Sequence, residues 1–307
     1  MFFRPVLFLL PFLIIQLHSS TCVGEKLPVI VSIFPVGDMV QQVGGKHVDV
    51  TFILPPGVSP HTFEPRPSLV KKISSARIFF MVGAGLEFWA EKFVSQAGSH
   101  LTTVVMSKGV SLIHSTGHHN EPYHHHDRSN VSYHKSESAN PHIWLDPEIS
   151  KSMVSKIVST LIQVDQKHLK YYEEQGQRYM DELDKLDRFI KTTVAKFKIK
   201  KYVSFHASLD YFARRYGLES AGVIEAAPGR NPTPIQIINI VAMIKKHRIR
   251  AVFSEPQLNP RAAEIIAKEA DVKVLLLDPM GNPRLKARST YIDLMRYNLN
   301  VLQEAME

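Results

Sequence analysis

The chain has 307 residues, 44% hydrophobic and 21% charged, a composition that excludes a disordered polymer and fits a folded protein of one or two domains. Its formal net charge of +8 does not point to nucleic acid. Lys and Arg are interleaved with Glu and Asp, as in YYEEQGQRYMDELDKLDRFIKTTVAKFKIKK, which is the pattern of a solvated surface, and no nucleic-acid-binding motif accompanies them. Cys22 is the only cysteine, so an intramolecular disulfide is excluded.

Residues 1–24 carry a single Arg4, an apolar run from Val6 to Leu17 and then small or polar residues, the layout of a secretory signal peptide. The run is too short to span a bilayer comfortably. Simple export with cleavage near Gly24 is the expectation, and lipid attachment at Cys22 is the alternative.

Six apolar runs then read as buried strands: 27–35, 48–55, 76–83, 202–206, 249–255 and 272–278. Helix-like segments such as VGDMVQQVG, PSLVKKISS, PIQIINIVAMIKKHR and PRAAEIIAKEA alternate with them. Such alternation predicts an α/β fold with mainly parallel sheets flanked by helices. VGAGLEFW begins like a dinucleotide fingerprint but lacks its third glycine, and reads instead as a strand-to-helix turn. The strands form two groups, before about residue 115 and after about 200. Between them, Asp146 and Pro147 look like an N-cap and first helical residue. A nearly uninterrupted helical stretch follows, about 45 Å long if helical over 167–197, at ~1.5 Å per residue. The expected organisation is a leader (1–24), an N-terminal α/β lobe (25–165), one long rigid connecting helix (166–198) and a C-terminal α/β lobe (199–307). The first lobe contains a polar, histidine-rich loop at 114–139.

Outside that loop, His61, His142, His206 and Asp278 attract attention. His206 and Asp278 end apolar runs and His61 follows one, and ligands of open α/β sheets bind at the carboxyl ends of strands. Three imidazoles and one carboxylate suit Zn²⁺. Alone, a His near a strand end is more often a hydrogen-bonded structural residue than a ligand, and a strand-final Asp often caps the next turn.

The segments SPHTFEPRPS, NPHIWLDP, YVSFHASLDYFARRYGL and LLLDPMG resemble the signatures of the periplasmic zinc- and manganese-binding proteins of ABC-type metal importers. The resemblance extends from about Leu27 to near the C-terminus. It implies two lobes bridged by one long helix. It also implies a metal held by His61 and His142 from the first lobe and by His206 and Asp278 from the second. A periplasmic, monomeric, non-enzymatic receptor is implied, delivering Zn²⁺ to a membrane permease. Mn²⁺ is the alternative cargo, disfavoured because His206 stands where manganese sites of the family carry a carboxylate. The loop histidines His118, His119, His124, His125 and His126 are expected to form an auxiliary, weaker metal tract. A zinc hydrolase and an adhesin on the same scaffold are the rival readings; the chain has no HExxH helix for the former.

Overall fold

The computed structural model describes residues 25–307 apart from 67–68, 70–71, 74, 91–92, 95–97, 99, 115–138 and 227–228. The expected leader with Cys22, and His118, His119, His124, His125 and His126, therefore lie outside the described residues. Two four-stranded parallel sheets are built in succession. The first contains β1 (Leu27–Val31), β2 (Val48–Phe52), β3 (Ile78–Met81) and β4 (Thr102–Val105) in the order β2-β1-β3-β4. The second contains β5 (Lys201–Ser204), β6 (Glu219–Val223), β7 (Ala251–Ser254) and β8 (Lys273–Leu276) in the corresponding order β6-β5-β7-β8.

The helices are α1 (Phe34–Gly44), α2 (Pro147–Val164), α3 (Leu169–Val194), α4 (Asp210–Tyr216), α5 (Pro234–His247), α6 (Arg261–Ala270) and α7 (Tyr291–Met306) among the described residues. Local chemistry sets several of their ends. Asp146 caps α2 by accepting from the backbone of Glu148 and Ile149, with Pro147 at the first helical position. Thr233 and Gln236 form a capping box on α5. The VGAG turn is a turn as expected: Gly83 and Gly85 adopt φ of 79° and 82°, and the buried Glu87 carboxylate accepts from the backbone of Val82 and Gly83, each at 2.8 Å.

Strand pleating explains why the central strands read as unbroken apolar runs. Val29, Val31, Ile78 and Phe80 face one core, while Ile30, Phe79 and Met81 face another on the opposite side of the same sheet. In the second sheet Tyr202, Ala251 and Phe253 join the first of these cores, and Val203 and Val252 face a third. The two sheets thus share one continuous hydrophobic core, into which α1, α2, α3 and α7 also pack. The strands that the apolar pattern does not predict, β4 and β6, are both edge strands with only partly buried or exposed residues.

The long helix α3 is consequently no free-standing strut. Its buried positions Tyr172, Gly176, Tyr179, Leu183, Leu186 and Ile190 recur in alternating steps of four and three, the seam of a helix packed along its length. Polar links reinforce the shared core. Asp38 on α1 accepts from the Tyr291 backbone N–H at the start of α7 at 2.8 Å, and burial pushes its carboxyl up from the usual range. Arg215 on α4 donates to Asp187 on α3 at 2.6 Å and lies 3.4 Å from Asp146.

At Gly176 a Cβ would stand 2.3 Å from Val158 Cγ2 of α2, so the close approach of α2 and α3 requires a residue without a side chain. Leucine is the better helix former by most of ~1 kcal/mol. Gly176→Leu is nonetheless expected to lower the unfolding free energy by roughly 1–3 kcal/mol through overpacking. Urea denaturation measures it, and an unchanged or raised midpoint would contradict this packing.

Candidate metal centre

Three imidazoles meet between the two sheets. His61 lies in the loop after β2, His142 opens the short 3-10 turn Ile143–Leu145 that leads into α2, and His206 stands just past the carboxyl end of β5. His142 Nε2 is 3.2 Å from His61 Nε2 and 3.0 Å from His206 Nε2. The ligand atoms of all three lie within 4.8 Å of one another. His142 and His206 are buried, and His61 is half-buried. They line a small cavity with Ser59, Pro60, Glu255, Gln257 and Pro279 among its walls.

The far nitrogens decide what the near ones can do. His142 Nδ1 is 2.8 Å from Asn140 Oδ1. The Asn140 amide nitrogen donates to Ala207 O at 2.6 Å and to Asp210 Oδ2 at 3.0 Å, which fixes the amide orientation and makes Oδ1 an acceptor. His142 Nδ1 therefore carries the proton and Nε2 a free lone pair. His206 Nδ1 likewise donates to the buried Glu255 Oε1 at 2.8 Å, which turns its Nε2 toward His142. Two ring nitrogens 3.0 Å apart are held together by a shared proton or by a cation between them. The observed separations approach the ~3.3 Å edge of a tetrahedron with Zn–N bonds of about 2.0–2.1 Å.

The electrostatics act in the same direction. Burial, with the electrostatic effect of His206 added, lowers His61 to about 4. Burial, followed by the effects of His206 and His61, holds His142 well below the ordinary imidazole range. Both are neutral at physiological pH, the form in which imidazole binds metal.

Asp278 is not brought into this group, although its neighbours Pro279 and Met280 line the cavity. Its Oδ2 accepts from Arg288 Nη1 at 2.8 Å. Its Oδ1 accepts from Gln257 Nε2 and from the backbone of Met280 and Gly281. The expected fourth oxygen donor is thus engaged by these partners and is not grouped with the imidazoles among the described residues. Two residues that matter were not singled out from the sequence. Glu255 immediately follows β7, the neighbour of β5, and obeys the same end-of-strand rule as His206. Asn140 sits within the NPHIWLDP stretch, but its role depends on contacts with the distant Ala207 and Asp210. His114 and Ala139, at the two ends of the histidine-rich segment, form an antiparallel bridge.

The site is also a junction between the lobes. Trp144 Nε1 donates to Pro279 O at 2.7 Å, Tyr211 OH to Asn140 O at 2.7 Å, and Tyr291 OH to Trp144 O at 2.7 Å. Among the described residues no helix is long and apolar enough to cross a membrane.

Comparison with known proteins agrees with this architecture. A relative from Bacillus subtilis (strain 168), the high-affinity zinc uptake system protein ZnuA, is 26% identical over 94% of this chain and 90% of its own length. The zinc-binding protein AdcA of Streptococcus pyogenes serotype M3 is 28% identical over 91% of the chain, which spans only 56% of that longer protein. A crystal structure of ZnuA superposes with a TM-score of 0.80 at 24% identity, covering 92% of this chain and 100% of that one. Residues 29–305 match the family described as zinc-uptake complex component A, periplasmic, and the chain belongs to that family.

Proposed function

We propose that this protein is an extracytoplasmic receptor that captures Zn²⁺ with His61, His142 and His206 and delivers it to the permease of an ABC-type importer. The observation that carries this reading is the convergence of three Nε2 atoms from both lobes, with the Nδ1 protons of His142 and His206 held by Asn140 and Glu255. A set of neutral nitrogens suits Zn²⁺ better than Mn²⁺, which prefers harder oxygen ligands. The zinc uptake and zinc binding named for the Bacillus and Streptococcus relatives support the same cargo.

Capture, rather than turnover, is the role in this reading. A hydrolytic zinc site needs an open coordination position and a base beside it. Here the carboxylate beside the imidazoles, Glu255, holds the His206 Nδ1 proton on Oε1, the part of a residue that supports a ligand, and Asp278 is paired with Arg288. Because the ligands come from both lobes, a modest relative rotation would separate them and release the ion. The shared core limits that rotation, since a wide opening would expose its apolar surface. We further propose that the mature protein is a periplasmic monomer that begins after the leader. The boundaries 25–165, 166–198 and 199–307 describe its lobes and connector, with the proviso that α7 also packs on α1 and α3. The loop imidazoles His118, His119, His124, His125 and His126 would serve as a weak auxiliary metal tract.

Competition with a chromophoric chelator is expected to give one tightly bound Zn²⁺ per chain. His142→Ala should weaken it by more than the ~10–100-fold typical of losing a residue that only supports a ligand, and Glu255→Gln by an amount within that range. Full zinc binding by His142→Ala would overturn the assignment.

Metal-free protein gives an independent check through pH. His61 has a folded pKa of about 4, below the unfolded value of 6.5, so the unfolded chain binds more protons between these values. The corresponding stability is present above pH 6.5 and is lost as pH falls toward 4. Thermal midpoints measured from pH 7 to pH 4 should fall more steeply for the native sequence than for His61→Asn; equal slopes would contradict the buried, neutral imidazole.

A further inference from the structure

The carboxylate that the sequence offers as a fourth ligand is withheld by a cation of the protein itself. Asp278 is 1% exposed and its two oxygens receive four donors: Gln257 Nε2, the Met280 and Gly281 backbone N–H groups, and Arg288 Nη1. Three of these donors converge on Oδ1, and Arg288 Nη1 is the one that holds Oδ2, the oxygen with acceptor capacity left. Its backbone is fixed as well, because Asn298 Oδ1 accepts from Asp278 N at 2.9 Å and Asn298 Nδ2 donates to Asp278 O at 2.6 Å. Arg288 is itself held, with its guanidinium carbon 4.8 Å from the centroid of the Tyr297 ring.

Recruiting Asp278 to a metal would strand a largely buried guanidinium without its counter-charge, which is strongly unfavourable. We propose that Arg288 is a specificity-determining residue. By sequestering the Asp278 carboxylate it leaves the arriving cation with three imidazoles and no carboxylate from Asp278, which favours Zn²⁺ over Mn²⁺. This inference rests on the assignment of His61, His142 and His206 as the zinc site. Gln257 links the two features: its Nε2 is tied to Asp278 while its side chain lines the cavity beside the imidazoles.

Arg288→Met removes the competing charge and keeps a long side chain. Measured by competition with a metal indicator, the ratio of Mn²⁺ to Zn²⁺ affinity is expected to rise roughly tenfold or more, through the freed oxygen ligand. Adding Asp278→Asn should return the ratio to that of the native protein. An unchanged ratio in folded Arg288→Met, or a gain that survives Asp278→Asn, overturns the proposal. Should the variant fail to fold, the zinc-loaded native protein decides the matter. Its crystal structure is expected to keep the Arg288–Asp278 pair. A carboxylate oxygen of Asp278 at about 2.0–2.2 Å from the zinc would refute the role of Arg288 alone. Zinc bound away from the three imidazoles would instead refute the underlying site and the proposal with it.

Discussion

One side-chain amide organises the centre of this molecule. Asn140 accepts the His142 Nδ1 proton at one end and donates to Ala207 and Asp210 of the other lobe at its other end. The tautomer of one imidazole is thereby coupled to the docking of the two lobes. Glu255, just past the end of β7, plays the matching part for His206. Without these acceptors the rings could rotate or carry their protons on Nε2, and the convergence of nitrogens would not amount to a site. The metal-ready geometry is a property of the hydrogen-bonded surroundings as much as of the histidines.

The shared core gives that geometry its stiffness. Both sheets send one face into a single apolar cluster bounded by α1, α2, α3 and α7, so the lobes are two sheets of one packed body with a cleft between their strand ends. Tyr291 shows how closely the parts are joined: its backbone N–H bonds Asp38 of the first lobe and its hydroxyl reaches the Trp144 carbonyl, two residues from His142. The shared core and these bonds oppose a wide separation of the lobes.

Much of this was legible in the sequence because it rests on short-range rules. Asp146 and Pro147 announced a helix start, and the stretch containing α3 has no proline to interrupt it. Apolar runs mark the central strands and also the edge strands β2 and β8, whereas β4 (TTVV) and β6 (ESAGV) are rich in small or polar residues that leave no such run. His206 was found by its place after a strand, and Glu255 could have been found by the same rule. Asn140 and Arg288 were hidden for a physical reason. Their importance lies in partners far along the chain or across a turn, and no spacing in the sequence specifies that Arg288 neutralises Asp278 while Asn140 holds His142. Asp278 illustrates the limit: its position at a strand end was read correctly, but a carboxylate's availability depends on which donors surround it.

The account comes down to where a divalent ion sits and what holds it. Anomalous diffraction at the zinc edge from crystals of the zinc-loaded protein tests this most directly. One strong peak within about 2.0–2.1 Å of Nε2 of His61, His142 and His206 is the predicted result. A peak at any other position, or one bonded to fewer than these three nitrogens, would contradict it.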